Sequence, residues 1–459
     1  MTDRRAFLGG LGALGLIPAA GAQAESGDWL DRWLTAFNAP GAATYPDFVR
    51  ASIPSLVPYL DEDLGVREAS GGFDLLRREA TGPNEVTAWL RDRNWDRFSR
   101  VVLTLGEDRI EDLSFLGASP PDGFAVTRLG EAGAIAATRA KLDREAGTGR
   151  FSGAVLIGRG DDVLMSEAWG AADATGQVAA TPETRFCIGS MGKMFTAVGV
   201  LQLVQSGRLR LDDTVGDLLP DYPRGRIAET VTVEHLLTHT GGTGDFFGPV
   251  YEAQQADLVT PSDFIALFGE REPLYGAGER WGYSNFGFIL LGAILERISG
   301  RAWQDRLLET VFAPAGMTAT SPTVTDEDAA QPLVGAMQTG LTAKPHYVGL
   351  PAGGGYSTTG DLMRFARALR SDALLDATHR ALLMTPRVPA GSRRWSLGLS
   401  TGSRNGAPYW GHGGSAPGVN ADFAVYPGSG LVAVVLANRG HPHAANVADF
   451  VGARLPIVG

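Results

Sequence analysis

The uneven distribution of strand-like and helix-like patterning along this chain constrains its fold more than any single motif does. Residues 151–157 and 163–169 are short, largely apolar runs on either side of the turn-forming stretch 158–162, the pattern of a β-hairpin. Their sheet partners come only at the far end of the chain, at 395–401, 409–413, 421–426 and 431–437, punctuated by Asn405-Gly406 and Pro427-Gly428-Ser429-Gly430. The segments between, including 233–237, 262–268, 286–298 and 362–369, carry helical spacing. Strands at both ends with helices between predict an α+β domain built as one antiparallel sheet with a helical insertion.

A chain of 459 residues exceeds what one core usually spans, and a boundary is expected at the turn-rich Ser119-Pro120-Pro121-Asp122-Gly123. Ahead of it, 29–38 and 46–60 have helical spacing, and 73–80, 85–91, 100–105 and 109–115 form a run of short strands. The expected organisation is an export signal at 1–24, a small α+β domain at 25–118, a linker at 119–130 and the larger α+β domain at 131–459. A helix at 131–146 leads into the last of these. The small domain resembles cone-shaped NTF2-like or cystatin-like folds and holds no catalytic motif, so its expected role is positional.

Arg4-Arg5, an apolar stretch of Gly, Ala and Leu, and Ala22-Gln23-Ala24 match a twin-arginine signal cleaved after Ala24. The expected location is therefore periplasmic or secreted, with no stable membrane anchor. The net charge of -11 argues against a nucleic-acid partner. The single cysteine, Cys187, excludes an intrachain disulfide and sits in the apolar run Phe186-Cys187-Ile188, where a packed small residue is expected.

Ser190-Met191-Gly192-Lys193 opens an apolar segment in which Met194, Phe195, Val198, Leu201 and Val204 recur at helical steps. On such a helix Ser190 and Lys193 share a face. A serine hydroxyl needs a base to become a nucleophile, and a lysine serves if burial and the positive helix end lower its pKa. Taken singly, Ser-x-x-Lys is a weak signal. Tyr283-Ser284-Asn285 stands before another apolar helix, where a tyrosine can share the lysine's proton and an asparagine can orient the lysine and a substrate amide. His412-Gly413-Gly414 lies on a predicted strand, where paired glycines let a ligand approach the backbone. Gly398-Leu399-Ser400-Thr401-Gly402 also matches a nucleophile elbow but lacks its strand–turn–helix context. His235 and His239 stand four apart without the glutamate of a zinc site, and His441-Pro442-His443 is too little for a metal; structural roles are expected for all of them, and no metal or cofactor.

Taken in order, these three elements resemble the serine β-lactamase and penicillin-binding-protein superfamily, near its class C branch with carboxylesterases and D-aminopeptidases. The surrounding segments strengthen the resemblance: His235-Leu236-Leu237-Thr238-His239-Thr240-Gly241-Gly242, Leu290-Leu291-Gly292, Gly353-Gly354-Gly355-Tyr356-Ser357-Thr358 and Leu436-Ala437-Asn438-Arg439. The resemblance implies a serine hydrolase working through an acyl-enzyme. Ser190 would attack, Lys193 and Tyr283 would relay its proton, Asn285 would position the substrate, and the amides of Ser190 and Ser415 would form the oxyanion hole beside Gly413 and Gly414. Its partner would be a small ester, amide or peptide; oligomeric state stays open. Where many superfamily members have Lys-Thr-Gly, this chain has His412. A histidine near its reference pKa of about 6.5 is a weak carboxylate anchor at pH 7 and should strengthen on acidification. That favours an esterase or amidase over a β-lactamase. A D-amino-acid peptidase, a weak β-lactamase and a slowly deacylating penicillin sensor remain the alternatives. Trp281, Trp303, Trp395 and Trp410 are candidates for an apolar acyl pocket or for the core.

Overall fold

The structure, a computed structural model, describes residues 20–41 (backbone only through 28), 43–322, 329–331, 333 and 349–458. Residues 1–19 of the expected export signal lie outside these. The chain divides into two compact units, Met1–Ala125 and Val126–Gly459. Among the described residues no helix is long and apolar enough to cross a membrane.

In the first unit, helices α1 (Ala20–Asn38), α2 (Thr44–Ser52) and α3 (Leu60–Ser70) precede an antiparallel meander of β1 (Phe73–Gly82), β2 (Glu85–Asp92), β3 (Phe98–Leu105) and β4 (Ile110–Gly117). Trp33, Phe37, Tyr45, Val101 and Leu103 are buried together in its core. The single helix expected at 46–60 is broken. Pro54 disfavours a helical residue before it, and Ile53 accordingly leaves the helix at φ -138°, ψ 70°. A six-residue 3-10 helix, Pro54–Tyr59, follows, then α3, which the apolar spacing did not show.

The second unit begins with Val126–Gly130 already tied in: Arg128 donates to the carbonyls of Arg404, at 2.7 Å, and Gly452. After α4 (Glu131–Gly147) come β5 (Gly153–Arg159) and β6 (Asp162–Trp169), the short strand β7 (Phe186–Cys187), which pairs with β8 (Tyr356–Ser357), and α5 (Gly192–Gln205). The C-terminal strands are β9 (Val388–Ala390), β10 (Arg393–Trp395), β11 (Ser400–Arg404), β12 (Ala407–Ala416), β13 (Val419–Tyr426) and β14 (Leu431–Ala437). They join the hairpin in an eight-stranded sheet of order β6-β5-β14-β13-β12-β11-β10-β9, with every adjacent pair antiparallel. The architecture is α+β, as the placement of strands at both ends predicts. The one strand expected at 395–401 is two. Gly398 takes φ +83°, and the Ser396 amide turns back to the Leu399 carbonyl.

Helix α5 is buried on nearly every side, with Met194, Phe195, Ala197, Val198, Val200, Leu201 and Leu203 all within the core. An apolar surround of this kind marks a central helix rather than a surface one. It packs against the helix Asn285–Ser299 through Gly199, where a Cβ would lie 3.6 Å from the Leu295 side chain. The two helices thereby bring their N-terminal residues, Lys193 and Asn285, face to face.

Candidate active site

Ser190 occupies a one-turn 3-10 segment, Gly189–Met191, that runs directly into α5. The glycines around it set its position. Gly189 is left-handed at φ +51°, and a Cβ there would lie 2.9 Å from the Ser415 amide nitrogen. A Cβ on Gly414 would lie 2.0 Å from the Ile188 carbonyl oxygen. On the other side, the Gly354 amide donates to the Gly189 carbonyl at 3.0 Å and the Ile188 amide to Gly355 at 3.1 Å. The Ser190 turn is thus held between strand β12 and the Gly353-Gly354-Gly355 stretch, and both contacts require bare backbone.

Lys193 is fully buried. Its Nζ lies 3.4 Å from Ser190 Oγ and 2.7 Å from Asn285 Oδ1, and it also donates to the Ala352 carbonyl. Ala352 is seated there because Gly292 lets its helix abut Pro351, and Thr196 Oγ1 donates to the Pro351 carbonyl at 2.8 Å. Burial drives the Lys193 pKa down to about 7, with Asp245 pulling weakly the other way. A neutral amine has two hydrogens and one lone pair. Asn285 and Ala352 offer only acceptors, so they take the hydrogens and leave the lone pair for the Ser190 hydroxyl.

The orientation of the Asn285 amide is set from behind. Its Nδ2 donates to Asp245 Oδ2 at 2.8 Å, and a carboxylate can only accept, so Oδ1 must face Lys193. Asp245 is absent from the residues that sequence reasoning selected. It sits in a glycine-rich loop forty positions from its partner, without a motif of its own.

Tyr283 is half-buried beside Ser190, whose hydroxyl favours the ionised phenol. Its ring centre lies 4.8 Å from Lys193 Nζ. Burial pushes the phenol well above its ordinary value, with Ser190 pulling it back, so at neutral pH it stays protonated. The middle residue of the motif is a helix cap: Ser284 Oγ accepts the Gly287 amide at 2.9 Å, which fixes Tyr283 and Asn285 on either side of the cap.

On β12, His412 is buried, Gly413 half-buried, Gly414 buried and Ser415 exposed. His412 Nδ1 lies 2.5 Å from the Gly413 carbonyl and Trp395 packs edge-on against its ring at 5.3 Å. Burial, with Lys193 and Arg393 nearby, lowers its pKa to about 3. The sequence-based expectation of a histidine that gains charge on mild acidification is therefore corrected: His412 is neutral throughout the ordinary working range.

Trp281 and Trp395 border this cluster, whereas Trp303 and Trp410 belong to the core. Ser400 is buried on β11 and donates to the Gly411 carbonyl at 3.2 Å, away from any base. His235 caps a short helix, accepting the Thr232 amide at 3.2 Å. Among the described residues no group of three or more His, Cys, Asp or Glu side chains is placed to hold a metal ion. Cys187 is buried and its thiol is pushed up to about 12 by burial, which removes it as a rival nucleophile.

Residues 137–455 match the family model described as Beta-lactamase. The chain belongs to the beta-lactamase family. Proteins named as penicillin-binding proteins, a D-stereospecific amidohydrolase and a class C β-lactamase are among those this chain is similar to. Penicillin-binding protein 4 of Amycolatopsis lactamdurans is 33% identical over 291 residues, covering 57% of this chain and 74% of that protein. The shared segments span from 38% to 74% of the length of the first curated relatives the chain matches. Among solved structures, a penicillin-binding protein from Bacillus halodurans superposes with TM-score 0.60 at 30% identity, covering 67% of this chain and 97% of that one. A D-stereospecific amidohydrolase from a Streptomyces species does so with TM-score 0.58 at 26% identity, covering 70% and 98%.

Proposed function

We propose that this beta-lactamase family member is an acyl-enzyme hydrolase that cleaves esters or amides having no required carboxylate. The observation that carries the reading is the buried Lys193, with a pKa near 7, 3.4 Å from Ser190 Oγ and with two other acceptors to take its hydrogens. In this reading Lys193 takes the Ser190 proton as Oγ attacks the carbonyl. Tyr283, protonated at neutral pH, then passes a proton to the leaving group. The developing oxyanion is met by the amides of Ser190 and Ser415, each donor worth about 2.7–4 kcal/mol. Water attacks the acyl-enzyme by the reverse path. Incubation with p-nitrophenyl acetate, a D-amino-acid amide and a chromogenic cephalosporin, followed by intact mass and steady-state rates, tests the proposal. Catalytic turnover of the ester with a transient acetyl adduct is expected. A stable adduct without turnover would instead identify an acylation sensor.

A second reading, hydrolysis of amino-acid amides, is favoured by the exposed Asp245 carboxylate beside Asn285, which suits a substrate ammonium, and by the likeness to the Streptomyces D-stereospecific amidohydrolase. We further propose that residues 1–24 direct export and that the first unit positions the enzyme or its partner.

The strand glycines supply a paired test of the oxyanion geometry. Gly414→Ala forces a methyl against the Ile188 carbonyl and should lower kcat by roughly 10²- to 10³-fold. Gly413→Ala, whose added methyl meets nothing nearer than 3.4 Å, should change it by less than about threefold. Equal effects would mean that the strand edge plays no part in the chemistry.

The substrate preference rests on His412. In wild type, the ratio of kcat/KM for a carboxylate-bearing ester to that for its neutral counterpart should be flat from pH 5.5 to 8.5, because His412 stays neutral there. His412→Lys should raise this ratio by roughly ten- to a hundredfold, the worth of one charged hydrogen bond. If the lysine variant leaves the ratio unchanged, position 412 does not face the substrate.

A further inference from the structure

We propose that His239 is a positioning residue that clamps Tyr283 from both sides. The inference rests on the reading of Tyr283 as a participant in proton transfer. The clamp consists of two hydrogen bonds from the flanking residues to the same histidine. The Gly282 amide donates to the His239 carbonyl at 2.8 Å, and the Ser284 amide donates to His239 Nδ1 at 3.1 Å. Backbone and side chain of one residue thus bracket the tyrosine. Between those bonds the imidazole lies against the phenol ring, with centroids 4.3 Å apart and planes inclined by 31°.

The other faces of the imidazole are also occupied. Phe288 lies at 5.2 Å and Trp395 at 4.8 Å between ring centroids, and the residue is only 1% exposed. His239 also has a left-handed backbone, φ +58°, which is unfavourable for a residue with a Cβ and tolerated best by Asn and Asp. That conformation lets its carbonyl reach Gly282 while its ring reaches Ser284. Accepting at Nδ1 fixes the tautomer, since the proton of a neutral ring must then sit on Nε2. Burial and the neighbouring Lys193 and His412 hold the ring neutral.

The geometry separates two substitutions that a packing role would not. Asparagine places its Oδ1 where Nδ1 stands and accepts the left-handed backbone. Glutamine places its polar atoms near Nε2 and supplies no acceptor for Ser284. With p-nitrophenyl acetate and the full chain, His239→Gln should lower kcat about 10²-fold with KM changed less than threefold. His239→Asn should recover to within about tenfold of wild type. In a Tyr283→Phe background, His239→Gln should cost less than threefold more, because residues that act through one another are not additive. Thermal melts of all variants accompany the rates, so that a loss by unfolding is seen as such.

Equal activity of the Asn and Gln variants overturns the clamp. So does a full further hundredfold loss from His239→Gln when Tyr283 is already phenylalanine. A Tyr283→Phe enzyme with wild-type turnover overturns the tyrosine's role, and with it this assignment, and is told apart by that single variant. If the Gln variant fails to fold, the Asn variant alone decides: a folded His239→Asn protein with less than a hundredth of wild-type kcat refutes the proposal.

Discussion

Ser190→Ala should abolish turnover, on the order of 10⁶-fold in kcat, and abolish the acyl adduct seen by mass, while Ser400→Ala keeps most of the activity. Both serines lie in motifs that have catalytic precedent, so the difference must come from their surroundings. Ser190 is half-buried, lies 3.4 Å from the amine of a lysine whose pKa is lowered to about 7, and neighbours a tyrosine that stays protonated. Ser400 is 3% exposed, its hydroxyl is committed to a strand carbonyl, and no base adjoins it. Deleting the Ser400 hydroxyl removes one buried hydrogen bond, about 1 kcal/mol of stability, with no consequence for a reacting atom. Deleting the Ser190 hydroxyl costs no comparable packing and can leave the melting temperature unchanged or higher, the usual sign of a residue kept for function. A Ser190→Ala protein that still forms the adduct would move the nucleophile elsewhere.

The contrast between the two serines shows where the sequence was informative. Ser190 and Lys193 were legible because helical spacing puts them on one face and the apolar run buries that face. Tyr283 and Asn285 were legible as a motif, though the helix-capping role of Ser284, which explains their arrangement, shows only in the structure. Asp245 and the Ala352 carbonyl were not legible. One is a loop carboxylate far from Asn285 in the chain, and the other is a backbone group that every residue possesses. Likewise, the four candidate tryptophans divide into two at the site and two in the core, because tertiary packing decides which of these each one joins. The strand break at Gly398 and the helix break at Pro54 follow from ordinary backbone rules, yet apolar spacing alone ran through both. In each case the missing information was tertiary, as with propensity generally.

Lys193→Ala should lower kcat by at least about 10³-fold, and Lys193→Arg should not restore it, because a guanidinium keeps its proton and cannot act as base. The wild-type pH profile carries the same information. With a pKa of about 7, the base form is present above that pH, so kcat/KM should rise tenfold per unit below it and level off near pH 8. Asp245→Asn preserves an acceptor for Asn285 but removes the charge that favours the ammonium, so the rising limb should move to lower pH. Stability must answer to the same shift. Unfolded, the lysine titrates at about 10.4, and between pH 7 and that value the unfolded chain binds a proton that the folded chain lacks. Wild-type stability should therefore rise with pH across this window, by up to about 1.4 kcal/mol per unit, and level off below about pH 6. Lys193→Met, which fills the same slot without a titrating group, has no such dependence. Denaturant titrations of the two proteins at pH 6, 7, 8 and 9 isolate the lysine's contribution as their difference. A difference that is constant with pH would mean that Lys193 keeps its ordinary pKa in the fold, and a lysine of that kind cannot be the base that activates Ser190.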